Sequence, residues 1–206
     1  MVDKQNGLTV GAWESEANIG RWMNWPVHEF MMVVEGEVVM IEEDRETVVS
    51  AGEAFFIPKG RRCVWNQSAY FKKLMVMFDD FSVIPDNIEH IFKIDPNVKL
   101  SPCVPPAAEF LLSAIPIQQV YEYFKDPTRQ FEVGILETTD YLGKLVKSPC
   151  HELMHLLEGT VAFTDEEGQI RNFRAGDTFF VPMGTFHSWK SEGIVRKIYC
   201  IFRSKK

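Results

Sequence analysis

The chain has 206 residues, of which 46% are hydrophobic and 13% aromatic, so it can form a packed core and is not a disordered protein. Its formal net charge of −7 argues against a surface that binds nucleic acid or an anionic membrane. Residues 1–6 lack a basic flank followed by an apolar core, and no apolar run approaches the roughly 20 residues that cross a bilayer. The four cysteines form no CxxC pair. We therefore expect a cytoplasmic protein with reduced thiols and with no nucleic-acid or membrane partner.

Residues 1–78 are predicted to form a first unit. Its apolar segments are short, are separated by Gly, Pro or charged turns and show no helical period. This pattern is typical of an all-β sandwich or barrel. The predicted strands are 8–13, 29–34, 38–41, 47–49, 54–57 and 71–78.

Residues 79–130 are predicted to form a connector in which prolines oppose long helices. One short helix could begin after the proline pair, over 107–112. The connector is too apolar for a flexible linker, so we expect it to pack on both units or across a dimer contact. Its prolines are Pro85, Pro96, Pro102, Pro105, Pro106, Pro116 and Pro127, and its large apolar residues are Phe81, Ile84, Ile88, Ile91 and Phe92.

Residues 131–206 are predicted to form a second unit that repeats the first. Segment 131–137 repeats the opening strand, 164–168 is a hairpin tip, and 197–202 matches the closing strand 73–78. The tail after residue 202 is expected to be solvated.

The repeat is the strongest signal in the chain and predicts two similar units. Glu152 follows Glu29 by 123 residues, whereas Pro182 follows Pro58 by 124. One residue is therefore inserted between them, near Gly168, where a hairpin turn would absorb it. The repeated positions are Glu29, Glu35-Gly36, Gly52, Pro58 and Gly60 in the first unit, and Glu152, Glu158-Gly159, Gly176, Pro182, Gly184 and His187 in the second.

These spacings resemble the two signature stretches of the cupin superfamily, each present twice and in the expected order. The resemblance implies an all-β chain of two antiparallel jelly-roll (cupin) barrels in tandem. The wording around Glu29 and the ending 195–199 look most like the uncharacterised cupin branch that includes ethanolamine-utilisation cupins. The bicupin ureidoglycine aminohydrolases, which are manganese hydrolases of purine catabolism, are similar at a greater distance. Cupins often pair through exposed sheet edges, so a homodimer is expected.

Metal-binding cupins hold the ion with three histidines and the glutamate. In the first unit only Glu29 remains of these four, because the positions before it hold Trp25 and Met23, or Asn24 and Trp22, and Cys63 replaces the late histidine. In the second unit Glu152 and His187 remain. The positions before Glu152 hold Ser148 and Val146, or Lys147 and Leu145.

Glu152 with His187 is the leading candidate site, and three interpretations stay open. The pair could bind one divalent metal (Mn, Fe, Ni or Zn) if another ligand and waters complete the shell. It could be a catalytic acid and base without a metal. It could also be a mutually satisfied polar pair in the barrel interior, since such pairs mark sites only probabilistically.

Residues His151-Glu152-Leu153-Met154-His155 spell the zinc-protease pattern HExxH, which requires a helix. The repeat places this segment on a strand, so both histidines should face away from Glu152. We interpret the match as coincidental; the histidines could contact a neighbouring sheet or a dimer partner.

Cys63 could be a nucleophile, but a small buried thiol is the commoner case. Trp65 and Trp189 should face the barrel interiors, and with Trp22, Met23, Trp25 and Met31 they make the first interior apolar and aromatic. That composition fits core filling or a hydrophobic ligand pocket. The candidate ligand-binding residues are Trp189, Met154, Lys147, Glu29, Cys63 and Trp65.

Two functions follow from this inventory. The first is a bicupin that binds a small polar metabolite in the C-terminal barrel over a degenerate metal site. The alternative is a metal-dependent hydrolase that acts on a small amide or ureido compound at Glu152 and His187. A catalytic metal site normally needs three protein ligands and only two can be assigned, which favours the binding function.

Overall fold

The computed structural model describes residues 1–81 and 89–204. The chain divides into two compact units, Met1–Ile94 and Asp95–Lys206. Both units are built from antiparallel strands, and the described residues contain no α-helix. This confirms the all-β prediction. No helix within 1–81 or 89–204 is long and apolar enough to cross a membrane.

The first unit consists of two sheets. The larger has the strand order β1, β2, β10, β5, β8, β11, and the smaller has the order β3, β9, β6, β7, with β4 paired to β9. The strands are β1 Val2–Asp3, β2 Leu8–Ser15, β3 Asn18–Ile19, β4 Met23–Asn24, β5 His28–Glu35, β6 Glu37–Ile41, β7 Glu46–Ser50, β8 Ala54–Ile57, β9 Arg62–Gln67, β10 Phe71–Phe78 and β11 Phe92–Lys93.

The second unit forms one continuous sheet path with the order β12, β13, β14, β19, β16, β17, with β15 on β19 and β18 on β16. Two strands are long: β16 spans the counterparts of β5 and β6, and β19 those of β9 and β10. The elements are β12 Ser101–Pro102, the 3₁₀ helix η1 Ala108–Phe110, β13 Gln118–Lys125, β14 Phe131–Thr138, β15 Val146–Lys147, β16 His151–Asp165, β17 Ile170–Arg174, β18 Thr178–Val181 and β19 Phe186–Phe202.

The pairing register confirms the repeat. In the first unit Val38 pairs with Val49, and in the second Val161 pairs with Phe173. The partners therefore shift by 123 and 124 residues, and the extra residue lies in the hairpin between β16 and β17, as the sequence predicts. Gly168 has a positive φ of 80° in that turn.

Each interior is packed by residues of the central strands. β5 lies between β10 and β8, and its run from His28 to Val33 is buried on both faces. This explains why it reads as an unbroken apolar run rather than an alternating one. The core includes Met31, Phe55 and Trp65 in the first unit, and Met154, Phe163 and Trp189 in the second.

The stretch 79–130 contributes strands to both units: β11 pairs with β8 in the first, and β12 and β13 extend the sheet of the second. Ile91 is buried in the first core, while Phe81 is exposed. Of the short helix predicted over 107–112, only the three-residue 3₁₀ turn η1 is present. Ile84, Ile88 and Pro85 lie outside the described residues, as do Lys205 and Lys206 of the tail. The boundaries 1–78, 79–130 and 131–206 stay a prediction.

One part of the interior prediction was wrong. Trp22 and Met23 are each 44% exposed, and the guanidinium of Arg62 lies 5.2 Å from the Trp22 ring centroid. Counting back from Glu29 assumes one regular strand, but β5 begins at His28 and Met23 lies in the separate strand β4. Trp25 and Met31 do pack against the core.

Candidate functional site

A cavity of about 370 Å³ lies in the second unit, above Glu152. Strands β16 and β19 provide its floor, and the segment 141–150 and η1 provide its walls. Most of the lining is apolar or aromatic, with a few polar groups, a composition typical of small-molecule sites. Its polar and aromatic lining residues include Tyr141, Ser148, Glu152, His187, Trp189 and Lys197.

Glu152 is held by a lysine in the cavity floor. The Lys197 ammonium donates to Oε1 of Glu152 at 2.8 Å and lies 3.1 Å from Sδ of Met154. It also lies 5.1 Å from the centroid of the Trp189 ring, a cation–π distance. The pair is largely removed from solvent, with side-chain exposures of 10% for Lys197 and 18% for Glu152. The carboxylate is therefore already compensated by a protein cation.

His187 lies in the same cavity, stacked on Phe163 with ring centroids 4.8 Å apart. Burial lowers its pKa, and the Thr185 carbonyl and the Glu152 charge offset part of that effect, so the ring is neutral at pH 7. Nδ1 is buried and makes no hydrogen bond of good geometry with a described residue. No direct hydrogen bond joins His187 to Glu152 within the described part of the chain. The imidazole thus contributes a neutral polar group to the cavity lining.

Tyr141 and Ser148 border the open space beside Glu152. The Tyr141 ring stacks on Trp189 at 5.8 Å and an interplanar angle of 10°. Burial, with the nearby Glu152 charge, raises the pKa of the Tyr141 hydroxyl, which stays protonated. The Ser148 hydroxyl donates to the Cys150 carbonyl at 2.7 Å and is turned towards the backbone.

The first unit contains the same arrangement in a filled form. Lys73 donates to Oε1 of Glu29 at 2.7 Å and lies 3.0 Å from Sδ of Met31 and 4.7 Å from the Trp65 centroid. Here Oε2 of Glu29 also has a partner, because the Trp25 indole N–H donates to it at 3.0 Å.

The two histidines of the HExxH match face away from Glu152, as expected for a strand. His151 is buried on the other face, where Nδ1 accepts a hydrogen bond from the Met183 backbone N–H at 3.1 Å. His28 accepts the equivalent bond from Lys59, also at 3.1 Å. His155 lies beside the Thr178 hydroxyl at 2.8 Å. These contacts give His28 and His151 a structural role that the repeat preserves.

The structure brings some of the sequence-predicted residues together and separates others. Glu152, His187, Met154 and Trp189 all line the C-terminal cavity. Lys147 does not line it; this side chain is exposed and its ammonium lies 5.9 Å from the Phe186 ring centroid.

In the first unit, Glu29 and Trp65 are buried around Lys73. Cys63 is fully buried in the core, and burial raises the pKa of its thiol to about 11. It is therefore a packed thiol rather than an activated nucleophile.

Sequence reasoning missed Lys73 and Lys197. A signal was present: both are charged residues directly before an apolar run, and they occupy the same position of the repeat. Tyr141 was also missed, since its counterpart in the first unit is the exposed Asn18 and the repeat does not mark it.

A comparison with protein families matches the EutQ-like cupin domain over two segments, residues 3–74 and 125–199. The chain belongs to the EutQ-like cupin family. The two segments fall on the two halves of the repeat, which confirms the tandem cupin prediction. No curated protein matches this EutQ-like cupin in sequence.

Several solved structures share the fold. A protein of unknown function from Pseudomonas syringae pv. tomato str. DC3000, of the DUF861 family, is 26% identical; the match covers 98% of this chain and 84% of that one, with a TM-score of 0.86. A Cupin 2 conserved barrel domain protein from Leptotrichia buccalis is 10% identical over 95% and 89% of the chains, with a TM-score of 0.59. The protein Ylba from E. coli, also of the DUF861 family, is 12% identical over 97% and 79%, with a TM-score of 0.56.

The residues of this EutQ-like cupin do not fit the metal that other cupins hold. Within residues 1–81 and 89–204, no group of three or more His, Cys, Asp or Glu side chains could hold an ion. At Glu152, the Lys197 ammonium bonds the carboxylate, so a divalent ion there would face a fixed positive charge. Ser148, at one of the positions where the family has a histidine, is bonded to the backbone.

Proposed function

We propose that the C-terminal unit of this EutQ-like cupin binds a small polar organic molecule above Glu152, without a metal ion. One observation carries the proposal. Trp25 fills the interior of the first unit, and Ser148 stands at the same repeat position in the second, where a cavity of about 370 Å³ opens. At this repeat position the first unit has an indole ring that fills its interior, and the second unit has a small side chain that leaves space.

The lining supports binding of a small, uncharged or internally neutral molecule. Glu152 and Lys197 neutralise each other, and burial keeps the pKa of His187 below its ordinary value. Aromatic rings of Tyr141 and Trp189 offer apolar surface, and the neutral imidazole of His187 adds a polar group to the lining. A ligand would gain from burial against the rings and from a few directed hydrogen bonds.

A hydrolase at Glu152 and His187 is the second candidate. The observation in its favour is the neutral, incompletely bonded His187 in the same cavity as a carboxylate. Without a metal, His187 would have to act alone as the base, since Lys197 already engages Glu152. Release of ammonia from small amides or ureido compounds by wild type, and its loss in His187→Ala, would favour this candidate.

The binding proposal is tested by refilling the cavity. Untagged wild type and Ser148→Trp are purified, denatured, and their extracts compared by liquid chromatography and mass spectrometry. We expect a small molecule in near-stoichiometric amount from wild type and its loss from Ser148→Trp. Ser68→Trp, at an exposed position of the first unit, is the matched control and should retain it. Equal recovery from wild type and Ser148→Trp would contradict binding in this cavity.

A further inference from the structure

The two units provide an internal comparison of the same site with and without its space filled. Both contain a Glu–Lys ion pair, a methionine sulfur against the ammonium and a tryptophan ring within cation–π distance of it. The paired residues are Glu29 and Glu152, Lys73 and Lys197, Met31 and Met154, and Trp65 and Trp189. Because the arrangement is repeated in detail, differences at a single position can be interpreted directly.

The backbone around Trp25 and Ser148 is also the same. The N–H of Trp25 bonds the Arg61 carbonyl at 2.8 Å, and the N–H of Ser148 bonds the Thr185 carbonyl at 2.8 Å. In return, Gly60 donates to the Trp25 carbonyl at 2.6 Å and Gly184 donates to the Ser148 carbonyl at 2.9 Å. The two side chains therefore leave the backbone at equivalent points of their units.

Trp25 makes two contacts in the first interior. Its ring stacks on Trp65 with centroids 6.1 Å apart and planes 18° apart, and its Nε1–H donates to Oε2 of Glu29 at 3.0 Å. With Lys73 on Oε1, both oxygens of Glu29 are satisfied, and the Glu29 side chain is only 4% exposed. The indole thus acts as a flat, neutral N–H donor to a buried carboxylate.

The second unit lacks this donor. Ser148 Oγ bonds the Cys150 carbonyl, and no described residue donates to Oε2 of Glu152, whose side chain is 18% exposed to the cavity. Tyr141 provides a stacked ring on Trp189, but its hydroxyl makes no hydrogen bond to Glu152. A carboxylate oxygen in a largely apolar cavity is thus left without the N–H that its counterpart has.

We infer that the ligand is a neutral, flat molecule with a ring N–H, and that it donates this N–H to Oε2 of Glu152 as Trp25 does to Glu29. The inference rests on the proposed function and names its ligand class. His187 lines the same cavity as a neutral polar group. Aliphatic acids are disfavoured, since they would bring a second carboxylate beside Glu152.

The test uses indole and 1-methylindole, which differ only at the ring nitrogen, where a methyl group replaces the hydrogen. Binding to the untagged full chain is followed by isothermal titration. We expect indole to bind wild type about tenfold more tightly than 1-methylindole, because the methylated ring leaves Oε2 unsatisfied. Ser148→Trp, which supplies the chain's own indole, should bind neither probe, while Ser68→Trp should match wild type.

A second arm transfers the site to the first unit. Trp25→Gly, made in the Ser148→Trp chain whose second unit should bind neither probe, removes the built-in indole of the first unit. We expect added indole to raise the thermal midpoint of this double variant and 1-methylindole to raise it less. Equal affinity of wild type for both probes, or no binding of indole at millimolar concentration, would overturn the inference. Neither result would contradict the proposed function. That function is tested separately, by whether a molecule is extracted from wild type and is absent from Ser148→Trp.

Discussion

Lys73 and Lys197 place an ammonium group on the glutamate that a metal-binding cupin would use as a ligand. Each lies within 3.1 Å of a carboxylate oxygen and of a methionine sulfur, and close to a tryptophan ring. Removing two charges from water is costly, and their mutual attraction repays the cost only when both remain. The lysine and glutamate of each unit should therefore be energetically coupled.

Replacing Lys73 by methionine tests this coupling. Lys73→Met leaves the Glu29 carboxylate buried without its cation, and we expect a loss of about 3–5 kcal/mol in the free energy of unfolding of the first unit. Lys197→Met should cost less, because Glu152 is more exposed than Glu29. Urea unfolding measures both. The double variant Lys73→Met/Glu29→Gln should recover much of the loss; a single variant as stable as wild type would contradict a coupled pair.

His155 and His187 predict how the stability of the second unit depends on pH. Burial is the main cause that lowers both pKa values; Asp177 offsets it at His155, and the Thr185 carbonyl and Glu152 offset it at His187. Since the ordinary pKa is about 6.5, the unfolded chain takes up protons first as the pH falls. The free energy of unfolding of the second unit should therefore be highest above about pH 6.5. It should decline as the pH falls below about 6.5 towards the pKa values that the two histidines have in the folded protein.

Urea unfolding between about pH 8 and pH 5.5 measures this dependence. Wild type should lose stability towards the lower pH. His187→Asn and His155→Asn should each lose less between the same two pH values, because one titrating ring is gone. Variants whose stability falls as steeply as that of wild type would show that neither ring is responsible.

At the level of strands and turns, a glycine occupies the same repeat position in both units, between β5 and β6 in the first and within β16 in the second. Gly36 and Gly159 have φ values of 83° and 82°, which side chains other than glycine rarely adopt. A Cβ at Gly159 would also clash with the Ile194 carbonyl oxygen, whereas one at Gly176 would meet nothing. Gly159 therefore combines a positive φ with a steric clash, whereas Gly176 has the positive φ alone.

Alanine at these two glycines should have unequal effects. Gly176→Ala adopts a positive φ without a clash, so we expect a cost of about 1–2 kcal/mol. Gly159→Ala adds the clash with β19, so its unfolding midpoint should be clearly lower. Thermal unfolding followed by circular dichroism compares them, and equal midpoints would contradict the close approach at Gly159.

The turn and strand pattern also shows what sequence can predict at this scale. Strand positions followed from short apolar runs between Gly and Pro, and the facing of His151 away from Glu152 followed from strand alternation. The placement of Trp22 and Met23 did not, because alternation fails where the chain breaks into separate short strands. Alternation predicts which way a side chain faces only within one continuous strand.

At the scale of the whole chain, the repeat was enough to predict two cupin units and the inserted hairpin residue. The contents of the site were less predictable. The repeat marks positions where the halves agree, such as Lys73 and Lys197, but it cannot tell which side chain pairs with the glutamate. Tyr141 and the cavity lie where the two halves differ. The repeat gives no prediction at such positions, and their effect on the site is seen only in the folded structure. The homodimer and the cytoplasmic location stay predictions.

The most direct test of a metal-free ligand site is native mass spectrometry of the untagged protein, as wild type, Ser148→Trp and His187→Ala. We predict that wild type carries the mass of one organic molecule and no metal, and that Ser148→Trp has the mass of the bare chain. One equivalent of Mn, Fe, Ni or Zn on wild type that is absent from His187→Ala would contradict the account and place a metal at Glu152 and His187.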